Sequence, residues 1–565
     1  MFPVGLDNFS SLFTTEYVWV SVAASLCNGV LLYFASLKFF LVMQQCDYRN
    51  GRFFKWLKHR QTPYLRRLML LCLLGLLFFC VLNMCFAPVF SYFFDDKGNE
   101  VVSYVGLFSY LLFTLIYVNT ESSVNAKVPL RKTKRLVRLA IVFILLAAII
   151  TWGLTLLLNY LAYVIGDTIT GILRFAPVCI MPILTPYMLF LSNCINKPFE
   201  SIVKYYYINK AKQKLDGTDV LKIGITGSYG KTTVKEILKT LLSVKYRVLS
   251  TPASYNTPYG IALTVKNLDD THDVFIAEMG ARTKGDVKEL VNIVKPTFGV
   301  LTGVNNQHLE TFGSIENTKN TKYELFEGLP ENGKGFFTAD NDYSVELYNR
   351  FGGEKYLCGL NGEEDLVTVS DMVTSSKGTS FTLNIKGEEP LNCVTSLLGK
   401  HSISNICLAV GVAYKAGLTP EEIYTGLNRV TSVGHRLELV PNNKNVVIID
   451  DSYNASVDGT KAAMEVLDVF DGRKIVVTPG LVELGKEENV ANFNFGKELA
   501  RHADMVIVIG NHNGEIIVNG LIDGGMDKKD IRFAKNLKKG NETLNELLKE
   551  GDVVLFENDL PDNYN

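Results

Sequence analysis

The chain has 565 residues and a net charge of −1, with 57 basic and 58 acidic residues. That length exceeds one ordinary domain of roughly 100–200 residues, so three or more units are expected. The missing basic excess removes the first sign of a nucleic-acid partner. Seven of the ten cysteines fall in residues 1–194 and no C-x-x-C pair occurs, which argues against a zinc ribbon or a disulfide framework. Cys358, Cys393 and Cys407 stand alone in apolar contexts and read as buried free thiols.

In chain order, the first third is dominated by apolar runs at Tyr17–Leu37, Leu68–Phe86, Val101–Val118, Leu139–Leu158 and Phe175–Leu191. Each falls within the roughly 17–25 residues that carry a helix across a bilayer. Residues 1–194 are therefore expected to be an α-helical membrane region of five spans. No Lys or Arg precedes the first run, so it lacks the basic start of a cleavable signal peptide. Arg49, Arg52, Lys55, Lys58, Arg60, Arg66 and Arg67 lie between runs one and two, and Lys127, Arg131, Lys132, Lys134, Arg135 and Arg138 between runs three and four. Placing both basic loops inside puts the N-terminus outside and everything after run five in the cytoplasm, a multi-pass plasma-membrane topology. The fifth run holds Pro177, Pro182 and Pro186 and is expected to be kinked or re-entrant. Residues 195–218 read as an amphipathic linker, with Phe199, Ile202, Val203 and Tyr206 at helical spacing among lysines. It would either lie on the inner membrane surface or pack on the following domain.

The remaining sequence alternates short strands and helices, the pattern of two α/β domains, 219–434 and 435–565. In the second, strands at Val446–Ile449, Ile475–Thr478, Met505–Ile509 and Val553–Phe556 imply a smaller, doubly wound domain with a parallel sheet. Leu221–Thr226 reads as a buried strand running into Gly227-Ser228-Tyr229-Gly230-Lys231-Thr232-Thr233 and a helix from Val234 to about Leu242. Such a turn gathers backbone N–H groups around phosphates. Lys231 would neutralise the outer phosphate oxygens and Thr232 would bind Mg²⁺. The strict phosphate-loop pattern wants a glycine at 225, where this chain has isoleucine.

The segments that follow carry a family resemblance. Ile225–Thr233 is similar to the loop that opens the central domain of the Mur ligases. Thr251, Pro252, Asn256, Gly260 and Thr264 resemble their next segment, and Ala277-Glu278-Met279-Gly280-Ala281 their A-E-M-G-A. Asn305–Gly313, with His308, resembles H-L-E-x-F-G, and Lys322 with Phe326 matches K-x-x-x-F. Gly399–Asn405 with Ala409, then His435-Arg436-Leu437-Glu438, Asp450–Ala455 (D-D-S-Y-N-A) and Pro479–Gly485 continue the likeness to about residue 565.

The resemblance implies an ATP-dependent acid–amino-acid ligase that activates a carboxylate as an acyl phosphate for attack by an amine, in cell-envelope (peptidoglycan) precursor synthesis. Its leading specific reaction is addition of D-alanyl-D-alanine to a muramoyl peptide. Cofactors would be ATP and Mg²⁺, and partners a nucleotide- or lipid-linked precursor, an amino acid or dipeptide, and the membrane. Catalytic roles are implied for Lys231, His308 and Lys322. The nucleotide would be held by Gly227, Ser228, Gly230, Lys231, Thr232, Thr233, Asn405, Arg436, Asp451 and Tyr453. The metal would take Thr232, Glu278, His308 and Lys322, the last as a carbamylated lysine. Hard oxygen donors around a migrating phosphoryl group suit Mg²⁺.

The pattern also departs from the family. Membrane runs stand where a soluble UDP-sugar domain is expected, the N-N pair is Asn256-Thr257, and the basic K-G-S-R ending is replaced by Glu557-Asn558-Asp559-Leu560-Pro561-Asp562. Two other readings stay open: a ligase acting on a lipid-linked or capsule poly-acid acceptor, and a non-catalytic membrane scaffold of ligase shape. The oligomeric state is not legible.

Overall fold

A computed structural model describes residues 15–58, 70, 74 and 130–558, the last stretch without 166, 254, 306–308, 363, 443–444, 454, 483, 485–486 and 511–512. The chain divides into two compact units, essentially Met1–Val203 and Lys204–Leu560.

The first unit is helical where described. Helix Thr15–Ala35 is followed by Leu37–Gln45 after a 57° bend, so the first apolar run breaks at Ser36 rather than reaching Leu37 in one piece. Helix Lys134–Ile165 covers the fourth run and extends it at both ends. Phe40 packs edge-on against Phe143, with ring centroids 5.4 Å apart, inside a core that includes Leu32, Phe39, Leu139, Met188 and Leu189. Polar side chains inside this core are paired: Asn28 donates to Thr151 at 3.0 Å and Trp152 to Ser21 at 3.1 Å. Among the described residues one straight helix segment, Lys134–Leu157, is long and apolar enough to cross a membrane, and the bent pair Ser21–Gln45 would make a second. The runs at 101–118 and, but for two residues, 68–86 lie outside the described residues.

The fifth run falls within a longer helix. Asp167–Asp216 is one α-helix of 50 residues through Pro177, Pro182, Pro186 and Pro198, with no break before the linker at 195. A proline removes the N–H that its i−4 carbonyl would accept. At Pro186 that carbonyl belongs to Pro182, and the Thr185 hydroxyl donates to it instead at 2.7 Å.

The second unit holds two sheets. The larger runs β2-β3-β1-β4-β5-β6-β7-β8-β9. Its strands are β1 Leu221–Thr226, β2 Val248–Ser250, β3 Val274–Glu278, β4 Phe298–Leu301, β5 Lys334–Thr338, β6 Glu354–Cys358, β7 Val367–Ser375, β8 Gly378–Ile385 and β9 Leu391–Thr395. Pairing is parallel from β2 to β7 and antiparallel from β7 to β9. Successive side chains on a strand point to opposite faces. Ile223, Ile225, Val274 and Ile276 therefore bury against helices Lys231–Leu242 and Lys400–Lys415, while Phe275 and Ala277 bury with Val287, Leu290, Leu325 and Phe326 on the other side. The last turns of the 50-residue helix, through Ile208, Ala211 and Leu215, join that second cluster.

The smaller sheet runs β10-β11-β15-β12-β13-β14, from β10 Glu438–Leu439, β11 Val447–Asp451, β12 Lys474–Thr478, β13 Met505–Ile509, β14 Ile531–Ala534 and β15 Val553–Glu557. All pairs are parallel except β10 with β11, so the all-parallel expectation fails only at that edge. Both parallel regions end their strands toward open loops, where α/β sheets place their ligands.

Candidate active site

β1 ends at Thr226, and the chain turns through Gly227–Gly230 into helix Lys231–Leu242, which begins at Lys231 rather than at Val234. Gly230 has φ of 75°, and a Cβ there would lie 2.7 Å from the Asn405 amide oxygen. Only glycine accepts that backbone without strain. Gly227 is as tightly placed, since a Cβ would run into the Thr302 hydroxyl. The Ser228 N–H donates to Gly303 O at 2.8 Å and its hydroxyl accepts from the Asn305 N–H at 3.2 Å, which pins the loop to the end of β4.

Lys231 folds back over this loop and donates to the carbonyls of Gly227 at 2.7 Å and Ser228 at 3.2 Å. Desolvation lowers its ammonium to about 8; Glu278 opposes that shift and Arg436 adds to it. Thr232 donates to Glu278 Oε2 at 3.0 Å. Thr233, next on the helix, is half-buried.

Glu278 closes β3 beside β1, in register with Ile225, and is 1% exposed. Its backbone N–H donates to the Thr251 hydroxyl at 3.0 Å, and its Oε1 accepts from Asn256 Nδ2 at 3.0 Å. Thus three expected residues, Lys231, Thr232 and Glu278, meet at the carboxyl ends of neighbouring strands. Asn256 also meets them, although the sequence offered no role for it beyond the motif. Lys235, which sequence reasoning passed over, lies one turn beyond Lys231, where the i, i+4 spacing puts both on one helix face.

Lys322 lies on helix Ile315–Glu327, capped by the Ser314 hydroxyl. It is 2% exposed, and burial first and the Lys231 charge second push its ammonium well below the usual lysine range. Burial and the neighbouring Lys231 charge thus both favour the uncharged amine at this position. His308 lies outside the described residues.

Of the nucleotide-side residues, Arg436, Asp451 and Tyr453 come from the other domain and its connection, and Asn405 from helix Lys400–Lys415. Arg436 stacks on Tyr453, its guanidinium carbon 4.5 Å from the ring centroid. Both line a cavity of about 400 Å³ together with Thr232, Glu236, Thr240 and Ala253. Asn405 sits against Gly230 rather than in that lining. Nearby His401 is desolvated and held neutral, its pKa pushed down to about 4. Asp451 lies inside β11, not after it, and accepts from the Leu437 N–H at 3.3 Å. Its register partner is Glu557 at the end of β15. Burial raises Asp451 to about 6, with Arg436 opposing, and raises Glu557 well above the carboxylate range. Among the described residues neither Glu557 oxygen has a hydrogen-bond donor.

This arrangement fits a nucleotide with a divalent cation. Glu278 and Thr232 present hard oxygens side by side at a phosphate loop, the donor type Mg²⁺ takes. The family profile of the Mur ligase middle domain matches residues 225–413, and that of the Mur ligase glutamate ligase domain matches 435–557. The UDP-N-acetylmuramoyl-tripeptide–D-alanyl-D-alanine ligase of Bacillus subtilis is 30% identical over 349 residues, 61% of this chain and 74% of that relative. The chain belongs to the Mur ligase family. As a Mur ligase it is an ATP-dependent enzyme that forms carbon–nitrogen bonds. The Escherichia coli ligase of the same description is 32% identical over 300 residues, 52% of this chain and 65% of that one, just under two thirds of its length. Among solved structures, the MurF ligase of Thermotoga maritima in complex with ADP superposes with a TM-score of 0.57 at 28% identity, covering 63% of this Mur ligase and 80% of that chain.

Proposed function

We propose that this Mur ligase adds D-alanyl-D-alanine to a UDP-linked muramoyl tripeptide in peptidoglycan synthesis. The observation that carries the proposal is the convergence of Lys231, Thr232 and Glu278 at one strand edge, in a chain whose relatives bear that activity in their names. ATP would supply the phosphoryl group that turns the acceptor carboxylate into an acyl phosphate with release of ADP, and attack by the amine would form the amide and expel phosphate. Lys231 draws charge from the outer phosphates. Thr232 and Glu278, with His308, would hold Mg²⁺. Gly227, Ser228, Gly230 and Thr233 would offer the loop to the phosphates, and Arg436, Tyr453, Asn405 and Asp451 would surround the nucleotide. A permanently charged, planar guanidinium suits the phosphates better than lysine.

Lys322 has the chemistry of a carbamylation site. Carbon dioxide adds to the uncharged form of an amine, and burial beside Lys231 shifts Lys322 toward that form. The resulting carbamate would offer the metal side a carboxylate.

The N-terminal third supports a membrane location, on the apolar helix Lys134–Leu157 and the two basic segments. The proposed topology puts the N-terminus outside and the ligase domains inside. That helix also favours a second reading, in which the acceptor is lipid-linked and the anchor brings the enzyme to it. One assay separates these readings. Full-length protein in detergent or vesicles receives ATP, Mg²⁺, D-alanyl-D-alanine and either the UDP-linked or the lipid-linked muramoyl peptide, and ADP and adduct are counted. Adduct from the UDP-linked form supports the first reading, and adduct from the lipid-linked form alone supports the second. ADP release without any adduct overturns both.

A further inference from the structure

Lys235 is fully buried at 0% exposure, which is expensive for an ammonium unless it is paired. Its Nζ donates to Ala253 O at 2.6 Å and lies 3.4 Å from Glu278 Oε2 and 3.3 Å from Glu236 Oε1. Ala253 has φ of 45°, a conformation alanine seldom adopts unaided, in the loop that follows β2. The same loop supplies Asn256 to the other oxygen of Glu278 and the Thr257 cap to helix Pro258–Val265. Lys235 thus ties three parts together: the phosphate-loop helix that carries it, the strained loop, and the buried carboxylate that ends β3. Thr232 reaches the same carboxylate oxygen from one turn earlier. Without Lys235, Glu278 would keep Thr232 and Asn256 but lose the group that fixes the loop from which Asn256 reaches it.

We propose that Lys235 is a positioning residue for the divalent cation: it holds Glu278 Oε2 and the 251–257 loop so that Glu278 and Thr232 face one metal ion. This rests on the metal–nucleotide reading above but not on the identity of either substrate. A carboxylate has about four acceptor positions, two on each oxygen, so with Thr232 and Lys235 on Oε2 and Asn256 on Oε1 one position of Oε1 stays open to a cation. Groups behind a metal ligand typically change metal affinity about 10–100-fold when removed.

The test is titration of the full-length protein with MnCl₂ in the presence of a non-hydrolysable ATP analogue, read by the loss of the free-ion EPR signal. No acceptor or amine is needed, so a wrong substrate assignment leaves the outcome readable. Lys235→Met is expected to raise the Mn²⁺ midpoint about 10-fold or more, with analogue binding in saturating metal unchanged. Lys235→Arg keeps the charge in a different shape, so it should recover only part of that loss while melting like the parent. A midpoint within about two-fold of the parent in folded Lys235→Met, with only melting lowered, overturns the proposal. If Lys235→Met does not fold, Lys235→Arg decides: a shifted midpoint at unchanged melting temperature supports positioning, and an unshifted one overturns it.

Discussion

Two strand edges of the second unit treat buried acids in opposite ways. At the end of β3, Glu278 is surrounded by donors, with Thr232 and Lys235 on one oxygen and Asn256 on the other. At the paired ends of β11 and β15, Asp451 and Glu557 face each other, and Glu557 has no donor among the described residues. The first edge is organised by its donors before any ligand arrives. The second sets two desolvated carboxyls against each other, which raises the pKa of both. Arg436, stacked on Tyr453, opposes that rise at Asp451.

The contrast can be broken most decisively at the Glu278 edge. Lys231→Ala should lower acceptor-stimulated ADP release by about 10³-fold or more, the scale of losing a preorganised charge on a transition state. Turnover near the parental rate would remove Lys231 from the mechanism. Glu278→Gln keeps the shape and the Asn256 neighbour but loses the charge. It should lower turnover about 10²-fold at low Mg²⁺, with partial recovery as Mg²⁺ is raised, and a loss indifferent to Mg²⁺ would contradict a metal role. Lys322→Ala should lower turnover by a similar factor and regain part of it with added short-chain carboxylates; no recovery would count against a carbamate.

The smallest effect sharpens the other side. A carboxyl whose folded pKa is raised contributes least above that pKa, so the β11–β15 edge should weaken as pH rises through about 6, where Asp451 titrates, and further as Glu557 ionises. Glu557→Gln removes that liability. It should melt a few degrees higher than the parent at pH 8, on the order of 1–3 kcal/mol of relieved burial, and show little difference at pH 4. Equal melting at both values would mean that the pair is not desolvated as described.

Much of the ligase half was legible in the sequence, because strands there are short, apolar and bounded by glycine. Leu221–Thr226 and Met505–Ile509 coincide with their expected limits. Helix Lys231–Leu242 starts three residues early because left-handed Gly230 serves directly as its cap. β11 runs on through Asp450 and Asp451 because their backbones pair with Phe556 and Glu557, a tertiary fact that polar side chains conceal. The antiparallel β7–β9 strands were missed, although Val367, Val369, Phe381 and Leu383 show the alternation of half-buried strands. Lys235 reads as one more solvated helix lysine until the strained loop at Ala253 is seen to cover it. Helix Asp167–Asp216 runs on through the prolines of 177–198, and at Pro186 the Thr185 hydroxyl takes the carbonyl that the missing N–H leaves open.

The central claim is that ATP hydrolysis here passes through phosphorylation of the acceptor carboxylate. The most direct measurement labels that carboxylate with ¹⁸O, runs the coupled reaction with D-alanyl-D-alanine, and analyses the released phosphate by mass. The account predicts one labelled oxygen in each phosphate formed, matched to one ADP and one new amide bond. Unlabelled phosphate, or label in AMP, would contradict it.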